Sequence, residues 1–303
     1  MNICVTILGN SSATPTVSRH PSAQVLEMGN RLFLVDCGEG AQQQMMRYGI
    51  RSSRVSRVFI SHMHPDHHLG LPGFITSQSL QGRKEELHIH APPELEEILN
   101  IQFRASCTKL RFPLHFYPLT FEGIATIYKD EEITVQSIPV QHRLPCCGFV
   151  FRENKLTYNI RKDLAAKGEI PLEAFSTLKK GLDYHSSDGS VMYADQYVLP
   201  PAPLRSYAYI TDTLYLPALH ESLMDVTLLY HEATFMHNLI DKAEYTMHST
   251  AKQAATVARD ANAGKLLVGH FSSRYKDLNA LLIEARSVFL NTYLAEEGRT
   301  FTA

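Results

Sequence analysis

The chain has 303 residues, 44% of them apolar, too many for a minimal domain and enough for one large core or two medium ones. Its net charge of −2 with neutral histidines carries no whole-chain signature of nucleic-acid binding, which leaves only a local basic patch to steer a polyanion. The odd set of five cysteines lacks metal-knuckle spacing, the first residues read as a strand and not a leader, and no apolar run is long enough to span a bilayer, so a reduced cytoplasm is the expected compartment.

Residues 3–8 read as a strand, followed by the polar loop Gly9-Asn10-Ser11-Ser12-Ala13-Thr14-Pro15. Short strands over 22–28 and 31–35 are joined by the hairpin-like Gly29-Asn30 and end at Asp36-Cys37-Gly38-Glu39-Gly40. The glycines predict a tight turn before a helix over 41–48. An apolar strand over 55–60 then delivers Ser61-His62-Met63-His64-Pro65-Asp66-His67-His68, and a helix is expected to about residue 80. Residues 87–91 alternate like a strand. Their His88 and His90 have no carboxylate-histidine cluster behind them and are read as structural. Strands near 112–117, 125–128 and 133–140 follow, the last ending at Gln141-His142-Arg143.

Residues 152–203 differ in character. Their elements are short, and Lys155, Arg161, Lys162, Lys167, Lys179 and Lys180 give them a basic cast. Core-like pattern returns with a strand over 206–210 ending near Asp212, a strand over 226–230 running into His231-Glu232-Ala233-Thr234, and an Ala-rich helix to about 261 that Ser249 or Thr250 can cap. A strand over 265–269 ends on His270, and a final helix is expected over 279–293. Strands, loops and helices alternate twice along the chain, which suits two β-sheets between helices: an α/β, αββα four-layer sandwich.

Polar residues recur at strand ends. His62 and His64, two apart in extended backbone, share one face and can grip one ion, while Asp66 and His67 follow a turn and can face another. His142, Asp212 and His270 complete a set of seven donors for two ions, with Asp212 placed to bridge. Two metals about 3.5–4 Å apart activate water and brace the attacking and leaving oxygens of a phosphoryl transfer.

These residues resemble the metallo-β-lactamase superfamily and, within it, the short form of ribonuclease Z, the tRNA 3′-processing endoribonuclease. The superfamily run His-x-His-x-Asp-His is present as His62 to His67. Asp36-Cys37-Gly38-Glu39-Gly40, His68-Leu69-Gly70-Leu71-Pro72-Gly73, His231-Glu232-Ala233-Thr234-Phe235, His248-Ser249-Thr250 and His270-Phe271-Ser272-Ser273-Arg274-Tyr275 match the narrower family, in order, from residue 3 to about 290. The resemblance implies a single metallo-β-lactamase-like domain over residues 1–303, with a flexible arm inserted at 152–203. It implies two Zn2+ per subunit, with Mn2+ as the alternative. His62, His64 and His142 would hold one ion, Asp66, His67 and His270 the other, and Asp212 both.

Asp66 doubles as a proton acceptor, and His248, held by Glu232, serves the departing 3′ oxygen. Ser11, Ser272 and Arg274 are expected to touch substrate phosphate or brace the site, Arg274 through Asp36 or Glu39. Arg161, Lys162, Lys167, Lys179 and Lys180 are expected to grip RNA backbone. The implied partners are precursor tRNA and a second subunit, without membrane or DNA. The alternative substrate is a small phosphodiester or ester, and the alternative class a non-catalytic RNA-binding protein, against which an intact ligand set argues. The chain departs from the family pattern at Pro65, in its opening Leu8-Gly9-Asn10-Ser11, and at residues 170–175, where a Gly-Pro-rich segment is usual. These changes bear on the grip of tRNA and leave the hydrolytic set whole.

Overall fold

The computed structural model describes residues 2–154, 158–201 and 203–303; Lys155 of the expected basic segment lies outside them. The first sheet runs, edge to edge, Thr300–Thr302, Ile3–Gly9, Ala23–Met28, Arg31–Cys37, Val55–Phe59, Leu87–Ala91 and Leu114–Pro118. Where the link is the two-residue Gly29-Asn30 turn, the strands pair antiparallel. From Arg31–Cys37 onward they pair parallel, because the helices Ala41–Arg47, Leu71–Leu80 and Glu94–Ala105 supply crossovers long enough to return the chain.

The second sheet runs Thr292–Leu294, Lys265–Gly269, Leu228–Glu232, Ser206–Ile210, Cys146–Glu153, Ile133–Val140 and Ala125–Lys129. Its first four strands are parallel, with Leu219–Ser222, Ala251–Asp260 and Asn279–Arg286 as the intervening helices.

Period-2 alternation divides each strand between two layers. Leu32, Leu34, Val58 and Ile89 point to the helices, packing with Met45, Phe74, Leu95 and Leu99. Their neighbours Phe33 and Phe59 point the other way and meet Phe149 and Phe151 of the second sheet, where Tyr207 stacks on Phe151; Phe33 and Phe59 cross edge-to-face at 5.7 Å, and Phe59 and Phe151 at 5.3 Å. Ala208, Ile210, Leu229, Leu266 and Val268 face the helix side of the second sheet, against Ala251, Ala254, Ala258 and Leu281. The layers are therefore helix, sheet, sheet, helix.

Several elements, Ile240–Thr246 and Thr300–Thr302 among them, are not expected from the sequence, and two differences have a clear physical reason. Cys146–Glu153 is a strand that the sequence pattern does not announce: it is buried nearly throughout, so period-2 alternation is missing. The final helix ends at Arg286, well short of residue 293. Beyond it Val288, Phe289, Thr292 and Tyr293 favour extended backbone, and Thr292–Leu294 adds a parallel edge strand beside Lys265–Gly269.

The chain separates into two compact units, one of Met1–Tyr128, Val135–Phe151 and Ser206–Ala303, the other of Lys129–Thr134 and Arg152–Arg205. Within the second unit, Asn159–Ile160 pairs with Val198–Leu199 and Tyr184–His185 with Val191–Met192. Ile170, Ala174, Leu178, Ala194 and Val198 form its small core. Among the described residues no helix is long and apolar enough to cross a membrane.

Thr250 begins the Ala251–Asp260 helix with a capping box, its hydroxyl accepting the Gln253 amide at 3.3 Å while the Gln253 side chain accepts the Thr250 amide at 2.9 Å. Thr250→Ala should cost about 1 kcal/mol of stability, read as a lower denaturant midpoint at unchanged m-value.

Candidate active site

Parallel pairing places the C-terminal ends of Ser206–Ile210, Leu228–Glu232 and Lys265–Gly269 along one edge, which brings Asp212, Glu232 and His270 together. Val55–Phe59 delivers His62 and His64 from the other sheet. Asp36, Asp212, Met247 and His270 all take left-handed backbone, with φ of 52°, 42°, 59° and 56°. Such strain at non-glycine residues persists only where surrounding contacts over-determine it. Pro65 opens a one-turn helix, Pro65–His68, with His64 extended at its start, so His62 and His64 precede the turn while Asp66 and His67 follow it. The loop then closes tightly on the turn that follows Arg31–Cys37. The Gly70 amide donates to the Cys37 carbonyl at 2.8 Å, and a Cβ on Gly70 would overlap the Gly38 carbonyl.

The seven predicted ligands fall into two groups. His62 Nε2 and His142 Nε2 lie 3.0 and 3.1 Å from His64 Nδ1, with Asp212 Oδ2 at 3.7 Å from His62 and 3.8 Å from His142. In the second group Asp66 Oδ2 is 3.4 Å from His67 Nε2 and 3.7 Å from His270 Nε2. Asp212 Oδ1 faces the same two nitrogens at 3.3 and 3.2 Å. One carboxylate thus presents one oxygen to each group. His248 also stands within ligand spacing of Asp212 and His270.

These residues suit divalent metal ions. Around a tetrahedral zinc, donors bonded at 2.0–2.2 Å sit about 3.3 Å apart, close to the separations found. His67 Nε2 and His270 Nε2 are buried and have no hydrogen-bond partner among the described residues. Burial pushes the pKa of His62, His64 and His142 down, which keeps them in the neutral form that ligates. Burial opposes ionisation of Asp212 and Asp66, but His270 and His67 around the first and His67 beside the second hold both below the usual carboxylate range.

A surrounding set of bonds orients the ligands. Asp36, fully buried, accepts His67 Nδ1 at 2.6 Å, Ser61 Oγ at 2.9 Å and Tyr209 Oη at 2.7 Å on one oxygen, and the Ser61 amide at 2.8 Å on the other. With Nδ1 so engaged, His67 turns Nε2 inward. Glu232, also fully buried, takes the Thr213 amide at 2.7 Å, Thr234 Oγ1 at 2.5 Å and His248 Nδ1 at 2.9 Å. Burial disfavours charge on His248, but the Glu232 carboxylate overrides it and lifts the pKa to about 9. Sequence reasoning assigned no bond of this kind to Ser61, Tyr209 or Thr234, and named Asp36 only as a partner for Arg274. The signal available for Asp36 was a lone acid between an apolar strand and a Gly turn.

A cleft of about 460 Å³ opens on these groups, lined among others by Ser12, Ala13, Asp66, Arg143, Phe235, His248 and Ser272. Ser11 does not line it: the residue is fully buried and its hydroxyl donates to the Thr14 carbonyl at 3.0 Å, which fits bracing and not phosphate contact. Arg274 donates to Ser272 Oγ at 3.0 Å and lies over the Phe235 ring at 4.9 Å. Among the described residues it engages neither Asp36 nor Glu39, which corrects that part of the expectation: Asp36 is enclosed by Ser61, His67 and Tyr209. His88 and His90 stay apart from the cluster. His90 is stacked between Phe59 and Tyr117, and burial beside Arg57 pushes its pKa down to about 3. Arg161, Lys162, Lys167, Lys179 and Lys180 all belong to the second unit, where Arg161, Lys162 and Lys179 line a cleft of about 910 Å³.

The chain matches one family model over its first half and ribonuclease Z proteins over nearly its whole length. Residues 3–167 match the family model described as Anti-Pycsar protein Apyc1. Over 292 residues the chain is 42% identical to ribonuclease Z of Bacteroides fragilis (strain YCH46), covering 96% of each protein. It is 44% identical over 296 residues to ribonuclease Z of Cytophaga hutchinsonii, covering 97% of this chain and 94% of that one. Among solved structures it is similar to human tRNase Z, short form, with a TM-score of 0.72 and 26% identity over 98% of both chains.

Asp36→Asn leaves a side chain that cannot accept all of these donors while carrying charge. Metal affinity should fall about 10–100-fold in competition with a chromophoric chelator; affinity equal to that of the unaltered protein would contradict the orienting role.

Proposed function

This chain belongs to the ribonuclease Z family of the metallo-β-lactamase superfamily, and we infer that it is a zinc-dependent endoribonuclease that removes 3′ trailers from precursor tRNA. The observation that carries this reading is the His248–Glu232 pair at 2.9 Å, set beside two groups of metal-type donors in a chain alike to ribonuclease Z over nearly its whole length.

His62, His64 and His142 would hold one zinc ion, Asp66, His67 and His270 a second, and Asp212 would serve both; Mn2+ is the alternative metal. Bound there, the ions supply a water of lowered pKa and positive charge against the phosphodiester. Asp66, its Oδ2 held by the Ala13 amide at 2.8 Å, takes a proton from the attacking water. As the bond between phosphorus and the 3′ oxygen breaks, His248 gives that oxygen a proton. With a pKa of about 9 it carries the proton at neutral pH, and the ionised Glu232 balances the imidazolium charge until the proton leaves. The products are a 3′ hydroxyl on the tRNA and a 5′ phosphate on the trailer.

The second unit serves as the RNA-gripping arm in this reading, in a cytoplasmic homodimer that has no use for DNA. Its cations are not equivalent. Arg161 faces Asp163 at 3.0 Å and Lys167 faces Glu169 at 3.9 Å, whereas Lys179 and Lys180 are exposed and meet no carboxylate among the described residues. Backbone phosphate is therefore assigned chiefly to that pair and to Lys162, which is likewise exposed and meets no carboxylate among the described residues.

Zinc-loaded protein should cut a 3′-extended precursor tRNA after the discriminator nucleotide, with end-mapping as the readout. Turnover of bis-(p-nitrophenyl) phosphate alone would keep the hydrolytic site and move the substrate to a small diester. His248→Ala should lower kcat about 100-fold or more at unchanged zinc content; zinc lost in parallel with activity would make its role structural. Replacing Lys179 and Lys180 by Ala should weaken tRNA binding and reduce the salt slope by about 1–2, and an unchanged slope would remove the arm assignment.

A further inference from the structure

Arg143 follows the strand-end ligand His142 and lines the cleft together with Thr246. Its terminal nitrogen donates to the Tyr245 carbonyl at 3.0 Å, and its guanidinium lies 5.5 Å from the centre of the Tyr245 ring. Among the other exposed arginines of this unit, Arg47, Arg51, Arg104, Arg111, Arg274 and Arg286 meet no carboxylate among the described residues but do not line the cleft, whereas Arg54 faces Glu27, Arg259 faces Asp260 and Arg299 faces Glu296, all at 2.8–3.0 Å. Among the described residues Arg143 has no such partner. Most of its five donors remain free at the mouth of a cleft built for a phosphodiester.

Tyr245 is 78% exposed. A single exposed aromatic is ordinary, but the backbone that follows this one is anchored at the site. It sits on the Ile240–Thr246 helix, and the stretch that follows is tied to the reacting groups: the Met247 carbonyl meets His142 Nδ1 at 3.0 Å, and His248 comes next. A flat ring backed by an uncompensated guanidinium, beside a phosphodiester cleft, matches the way proteins hold single-stranded nucleic acid, with a base on the ring and a phosphate on the cation.

We propose that Tyr245 and Arg143 form a subsite for the single-stranded nucleotide adjoining the scissile phosphate, the ring stacking its base and the guanidinium holding its backbone. The proposal rests on the polynucleotide reading above. Stacking is indifferent to base identity, so the subsite would position precursors whose nucleotides near the cut differ.

The test compares zinc-loaded wild type with Tyr245→Ala, Tyr245→Phe and Arg143→Ala. One readout is fluorescence anisotropy of a labelled four-nucleotide single-stranded RNA with phosphorothioate linkages; the other is KM and kcat on precursor tRNA. Both alanine variants should weaken oligonucleotide binding and raise KM about tenfold, with the loss in KM rather than kcat, zinc content unchanged and Tyr245→Phe within about twofold of wild type. Unchanged oligonucleotide binding in the alanine variants would overturn the subsite. So would parallel loss of zinc and kcat, which marks a structural role. Wild-type protein that cuts no precursor tRNA, while the alanine variants still lose oligonucleotide binding, would overturn the tRNA reading and leave the subsite standing.

Discussion

Asp212 is a buried carboxylate with imidazoles on both sides, and the rest of the structure depends on tolerating it. Its Oδ2 faces His62 and His142 and its Oδ1 faces His67 and His270, in left-handed backbone with φ of 42°. An isolated charge in that setting is strongly disfavoured, and one shared between two cations is not. Parallel strands make the arrangement reachable, because their C-terminal ends all open on the same edge. Beneath it the Phe33, Phe59, Phe149 and Phe151 cluster locks one sheet to the other, so histidines delivered by the first meet an aspartate delivered by the second.

Two further buried carboxylates divide the remaining work. Asp36 collects donors from Ser61, His67 and Tyr209 and so fixes which nitrogen of His67 turns inward. Glu232 collects donors from Thr213, Thr234 and His248 and so keeps a protonated imidazole at the cleft. The same type of group, buried and hydrogen-bonded, therefore fixes a buried imidazole in one place and, in the proposed function, keeps a proton at the cleft in the other. The difference is what each faces: His67 also has Asp66 and Asp212 on its inner side, whereas His248 borders the open cleft.

Much of this was legible in the sequence because the information is local. His62, His64, Asp66 and His67 lie within one turn, and each of His142, Asp212 and His270 follows an apolar strand. The two-sheet layering could be read from alternating strands and helices. What the sequence withheld depends on partners far apart in the chain. The bonds of Asp36 to Tyr209 and of Glu232 to Thr213 exist only once particular strands are neighbours. Cys146–Glu153 lacked the alternation of a half-exposed strand because it is covered on both faces, and residues beyond Arg286 could be told from helix only by the edge they complete. Arg143 was visible as a residue, but its place at the cleft without a carboxylate partner among the described residues is a property of the folded surface.

The central claim is that two ions share Asp212 between the two groups of ligands. Anomalous diffraction at the zinc edge, from crystals of zinc-loaded protein, tests it most directly. The account predicts two peaks about 3.5–4 Å apart, one within bonding distance of His62, His64 and His142, the other of Asp66, His67 and His270, with Asp212 touching both. A single peak, or a second peak out of reach of Asp212, would contradict it.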